Sequence, residues 1–210
     1  MATLCQKDVK MTQIGLCYFS EIVSDDIVDE FVSTISTSGL SLSVEREEEV
    51  PIQAGLEWLA PTALIVFLAK PYFESFLSEM GKDHYNLLKK ALKAVANRLL
   101  GRSRPKIRFI QSKGKAKGSG EYSLAFPIYV EVSGKLNLKL LFPTELQEEG
   151  VHEIIEAYSS FIEVLYAGQI DETLVHKLSH GRVIGKTMLV TYDLEAKELS
   201  PVDPIPQKHS

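Results

Sequence analysis

Thr62-Ala-Leu-Ile-Val-Phe-Leu-Ala69 is apolar from end to end. A run of this length without alternation fits a strand buried on both faces, as strands of parallel sheets are. Helical patterns flank it. Upstream, residues 51–60 place Ile52, Leu56 and Leu59 on one side, behind a proline suited to a first helical position. Downstream, Pro71 opens a segment with Phe73, Phe76, Leu77 and Met80 at helical spacing. Gly81 breaks it, and Asp83 is placed to cap a second helix running to Leu100. Residues 107–110 read as a further strand.

Working back toward the N-terminus, Gln13-Ile-Gly-Leu-Cys-Tyr-Phe19 has the composition of a buried strand. Ser24 precedes Asp25 and Asp26, a helix-start signal with acids in the first turn. Ile27, Val28, Phe31, Val32 and Ile35 continue it, and Gly39 is the expected stop. Residues 40–44 alternate apolar with serine, as a second strand would. Glu45-Arg-Glu-Glu-Glu49 is a solvated exit. The order β-α-β-α-β-α-β predicts an α/β protein with a parallel, doubly wound sheet. The rival is an α+β, ferredoxin-like arrangement, with residues 40–44 antiparallel to 62–69.

Beyond Ser112 the pattern changes. Lys113-Gly-Lys-Ala-Lys-Gly-Ser-Gly120 is a basic, glycine-rich loop. Residues 123–132 and 136–142 predict a hairpin around Ser133-Gly134. Thr144-x-x-Gln147 resembles a capping box ahead of a long amphipathic helix ending at Gly168. A short helix over 172–178 follows. A strand over 183–192 pairs back with 199–202. The expected organisation is a loose N-terminus (1–10), an α/β core (11–112), the basic loop (113–120), an α+β extension packed on the core (121–203), and a tail (204–210).

Composition is that of a globular chain, with 45% hydrophobic and 24% charged residues. The start of the chain lacks a secretory pattern, and the longest apolar run is about half of the roughly 20 residues a membrane span needs. Two cysteines form no disulfide framework. These features predict a soluble cytoplasmic protein without membrane contact. Charge is distributed unevenly. Lys82 to Lys117 holds twelve lysines and arginines against one acid, while the remainder holds eleven against twenty-seven. Such a segment either contacts a polyanion by counterion release or meets acids of its own fold or of a protein partner.

Candidate chemistry is sparse. His176 and His180 share a helix face at a spacing metals use, without the glutamate of a zinc protease helix, and read as a structural or merely exposed pair. His84 beside Asp83 reads as an exposed neighbour of a capping aspartate, with an acid-oriented general base as the other reading. Gly118-Ser119 lacks the lysine of a phosphate loop, and a strand follows it where a helix is required. No metal site and no cofactor is called for.

The stretch from the first strand through Gly55 to Lys70-Pro-Tyr-Phe-Glu-Ser75 resembles a TIR domain, whose third strand is followed by Ser-Pro-x-Tyr-x-x-Ser. The resemblance covers about residues 13–80. It implies a flavodoxin-like parallel sheet and either signalling by self-assembly or cleavage of NAD. Phe76-Leu77 stand where the family carries Trp-Cys, and Glu79, one residue out of phase, is the acid nearest its catalytic position. In a parallel sheet, ligands gather beyond the carboxyl ends of the strands. That rule selects Ser20, Glu21, Arg46, Lys70 and Tyr72 as one edge, with Lys113, Lys115 and Lys117 from the basic loop. The expected function is binding or signalling through an anion- or protein-binding surface, self-association included. The alternatives are a TIR-type NAD-processing enzyme and an immunity-type or scaffold protein.

Overall fold

The computed structural model describes residues 12–37, 39–48, 63–76, 81–101, 121–169, 176, 178 and 180–204. The elements are β1 (Ile14–Phe19), α1 (Asp25–Ile35), β2 (Leu42–Glu47), β3 (Leu64–Leu68), α2 (Lys70–Phe76), α3 (Gly81–Leu100), β4 (Tyr122–Ser133), β5 (Leu136–Pro143), α4 (Glu148–Tyr166), β6 (Val183–Ile184), β7 (Thr187–Asp193) and β8 (Glu198–Val202). The strands form one sheet in the order β2-β1-β3-β4-β5-β7-β6, with β8 also on β7.

The protein is of the α/β class. Its sheet is mixed, and its logic is three adjacent parallel pairs. β1 and β2 are parallel and joined through α1. β3 and β4 are parallel with α2 and α3 between them in the chain. β5 and β7 are parallel with α4 between them. Neighbouring pairs run in opposite directions, since β1–β3 and β4–β5 are antiparallel. The all-parallel sheet expected from residues 62–69, and implied by the TIR resemblance, is therefore corrected. An unbroken apolar run reports burial on both faces; it carries no information about strand direction.

The second half does not sit on the first as an appendage. β4 pairs with β3, and one hydrophobic core runs through both halves. That core takes Leu16, Val66, Val130, Leu140 and Val190 from one face of the sheet and residues from all of α1, α3 and α4, with Tyr72 and Phe73 from α2. The described helices thus line a single face, where a doubly wound sheet has helices on both.

Several local expectations shift. α1 stops at Ile35, before Gly39, which has a φ of 86° in the turn that follows. β2 slides into the acidic run; as the outer strand of the described sheet it keeps those side chains at the periphery. Thr144 does not cap α4. Its backbone N–H and hydroxyl both donate to the Glu121 carbonyl, closing the base of the β4–β5 hairpin, and α4 begins after Gln147. The strand expected over 183–192 is two strands. Gly185 and Lys186 both have positive φ, 56° and 71°, and turn the chain tightly between β6 and β7. The helix expected over 51–60 and the strand over 107–110 lie outside the described residues.

Candidate functional site

The structure separates the residues expected to share one edge. Ser20, Glu21 and Arg46 stand at the ends of β1 and β2, which are parallel; Ser20 donates through N–H and Oγ to the Glu47 carbonyl. Lys70 and Tyr72 follow β3, which runs the other way, so they lie at the opposite end of the sheet. Lys70 donates its backbone N–H to Glu131 Oε2 on β4 and pairs its amine with Glu74. Tyr72 is wholly buried beneath the helices. Glu79, Lys113, Lys115 and Lys117 lie outside the described residues.

At the first end, Arg46 is engaged by carboxylates. Its Nε donates to Asp25 Oδ1 at 3.3 Å, and Glu48 lies 3.8 Å from Nη1. Asp25 also accepts from the Tyr18 hydroxyl at 2.7 Å. Tyr18 first, and then Arg46, hold the Asp25 carboxyl below its usual range. The basic segment behaves similarly where it is described. Lys89 and Lys93 of α3 both reach Glu156 of α4, and Arg98 reaches Asp26 and Glu30 of α1. These cations bind their own helices together and give a physical reason for the charge asymmetry within the fold. Glu156 is half-exposed, so its pairs are screened. Glu156→Ala is expected to cost about 0.5–1 kcal/mol in urea denaturation at low salt. The loss should shrink in 1 M NaCl.

The histidines divide. His176 and His180 are exposed, with His180 Nδ1 2.7 Å from the His176 carbonyl, a local backbone bond. Among the described residues no three histidine, cysteine, aspartate or glutamate side chains group as they would around a metal. His84 is not exposed. It is buried in the first turn of α3, and it bridges Tyr72 and the last carbonyl of α1. Asp83 is exposed within that turn and does not cap the helix.

The feature that the sequence reading passed over is Lys139. It lies on β5 with no solvent exposure. It points away from the helices, on the side opposite Leu138 and Leu140, which belong to the core. Register places it in a row across the sheet: Gly15 of β1 opposite Phe67 of β3, Phe67 opposite Tyr129 of β4, Tyr129 opposite Lys139, and Lys139 opposite Leu189 of β7. Lys139 Nζ stands 5.2 Å from the centre of the Tyr129 ring, within cation–π range. Phe67 and Tyr129 are partly exposed, whereas Leu141 and Leu189 beside the lysine are fully buried. Burial disfavours the ammonium and brings the Lys139 amine down to about 7. Asn137 and Thr187, both largely buried, are cross-strand partners on the same face one step along.

At one end of this row Gly15 leaves the sheet without a side chain. A Cβ there would sit 3.7 Å from Phe67 Cβ, in ordinary contact, so the glycine is not demanded by its strand neighbour. The row therefore offers a bare backbone, two flat rings and an amine held near neutrality. No family model, no curated protein and no solved structure matches the chain. The chemistry of the site rests on these side chains.

Proposed function

We propose that this is a cytoplasmic binding protein that holds a small ligand, with one acidic group and a flat apolar body, on the sheet face opposite its helices. The observation that supports this reading is the placement of a fully buried lysine in line with two partly exposed aromatic rings and a glycine. A carboxylate or phosphate is the kind of group that a lysine amine recognises. The rings of Phe67 and Tyr129 suit a flat group, and Gly15 leaves room beside Phe67. The cytoplasm fits a 210-residue chain whose two cysteines cannot form a disulfide framework. Among the described residues no helix is long and apolar enough to cross a membrane.

Benzoate is the simplest probe, compared with inorganic phosphate, which carries charge without a ring. Calorimetric titration at pH 7 is expected to show saturable millimolar binding of benzoate, about −4 kcal/mol. Phosphate should bind more weakly. Lys139→Met should weaken benzoate at least tenfold, the loss of about 1.4 kcal/mol. Equal affinity in wild type and Lys139→Met, or no saturable binding by any of a panel of aromatic carboxylates, removes the reading.

A further inference from the structure

We infer that Asn97, Glu148 and His152 form a divalent-cation site, suited to zinc, that ties α3 to α4. It lies in the helix layer and is separate from the row on the sheet face.

The seam between the two helices brings the donors together. Tyr85 donates to the Ser159 carbonyl, Lys89 and Lys93 reach Glu156, and Asn97 reaches Glu148 and His152. Residue numbers rise along α3 as they fall along α4, so the helices run antiparallel here. Glu148 and His152 stand one turn apart on α4 and share the face turned to Asn97. Carboxylate, imidazole and amide oxygen all bind divalent cations, and the imidazole favours zinc over calcium or magnesium.

The spacing fits such an ion. Asn97 Nδ2 lies 2.7 Å from Glu148 Oε1 and 3.1 Å from His152 Nε2, and those two atoms are 3.8 Å apart. A half-turn of the amide puts Oδ1 in the place of Nδ2. Three donors at these separations share a point about 2.0–2.1 Å from each, the length of zinc bonds to oxygen and imidazole nitrogen. Among the described residues Asn97 Oδ1 is buried without a hydrogen-bond partner, so it gives up no bond in turning. The ion would be its partner, and would separate it from the Glu148 oxygen that it would otherwise repel. The site is also reachable, since the Glu148 and His152 side chains are 65% and 35% exposed. Lys93, one turn before Asn97, is neutralised by Glu156.

Calorimetric titration of the full-length protein with zinc chloride at pH 7 tests this. A site with a Kd of about 10–50 µM is expected. Magnesium in large excess should not displace the zinc. His152→Ala and Glu148→Gln should each weaken binding at least tenfold. Replacing His176 and His180 together by alanine removes the other exposed imidazole pair and should leave the affinity within twofold. Asn97→Asp puts a charged oxygen in place of the amide and should tighten zinc at least tenfold. In EDTA the thermal midpoint of that variant should be lowered by repulsion between the new carboxylate and Glu148, and zinc should restore it. Affinity unchanged by His152→Ala, or lost with His176 and His180, overturns the site. So does an Asn97→Asp variant that holds zinc no more tightly than wild type, because the amide is then not a donor. Wild-type binding no tighter than about 1 mM overturns it as well.

Discussion

Lys139→Met is expected to flatten the alkaline rise in stability that the wild-type protein should show. The Lys139 amine sits at about 7 in the folded chain, against an ordinary value of 10.5. Between these values the unfolded chain holds a proton that the folded chain has released. The unfolding free energy therefore rises with pH across this window, by about 1.4 kcal/mol per unit from this group. Below pH 7 both states are protonated, and the cost of burying the ammonium is fully present. Relative to wild type, the methionine variant should thus gain most at pH 6 and lose that advantage progressively as the pH rises. The difference between the two should change by roughly 3 kcal/mol between pH 7 and pH 9.5. Urea denaturation of both proteins at pH 6, 7, 8 and 9.5 measures it. Parallel curves would show that the amine is not buried in an apolar setting. The comparison belongs below pH 10, because burial pushes the hydroxyls of Tyr72, Tyr85, Tyr158 and Tyr166 up. Stability should fall above that pH as the unfolded tyrosines ionise.

His84→Ala is expected to cost about 3–4 kcal/mol, the scale of a buried cavity with lost hydrogen bonds. His84 Nε2 lies 2.6 Å from the Ile35 carbonyl, which can only accept, so Nε2 carries the proton. Nδ1 then accepts from the Tyr72 hydroxyl at 3.0 Å. One ring therefore joins the end of α1, the first aromatic residue of α2 and the first turn of α3. Tyr72 also meets the edge of Phe73, which stacks on Tyr166 of α4 at 4.4 Å between ring centres. Tyr72→Phe removes a single hydroxyl and should cost about 1–2 kcal/mol. A double-mutant cycle between the two sites should show coupling of about 1 kcal/mol. Strict additivity would mean that the hydroxyl and the imidazole do not act as a unit.

The elements themselves were largely legible. Residues 13–19, the hairpin about Ser133-Gly134 and the helix ending at Gly168 carry their own signals, and β1, β4, β5 and α4 form there. Pairing was not legible. The apolar run at Leu64–Leu68 required burial, and only the fold decided that β1 would lie antiparallel to it. The same gap hid Lys139. In Leu136-Asn-Leu-Lys-Leu140 the alternation reads as an outward polar side, with Asn137 and Lys139 facing water. β7 pairs alongside β5 and places it in the interior of the sheet, where Lys139 and Leu141 are buried on one face and Leu138 and Leu140 on the other. Leu141, on the lysine's side of the strand, was the one local sign that this side is not solvated. His84 was misread because Asp83 offered a helix-capping explanation that needed no burial. The expected edge site failed with the strand directions that defined it.

The alternation of parallel pairs sets an order on biosynthesis. β3 takes one neighbour from upstream, β1, and the other from β4, which lies some sixty residues downstream. As the chain leaves the ribosome, Leu64–Leu68 emerges well before Tyr122–Ser133 exists to cover its second edge. A short apolar strand with one open edge is a template for pairing with a neighbouring nascent chain. The interval closes only when the β4–β5 hairpin forms, a local and fast event. Translation through residues 69–133, more than the stability of the finished molecule, is therefore the stage at which slow elongation or crowded polysomes would divert this protein into aggregates.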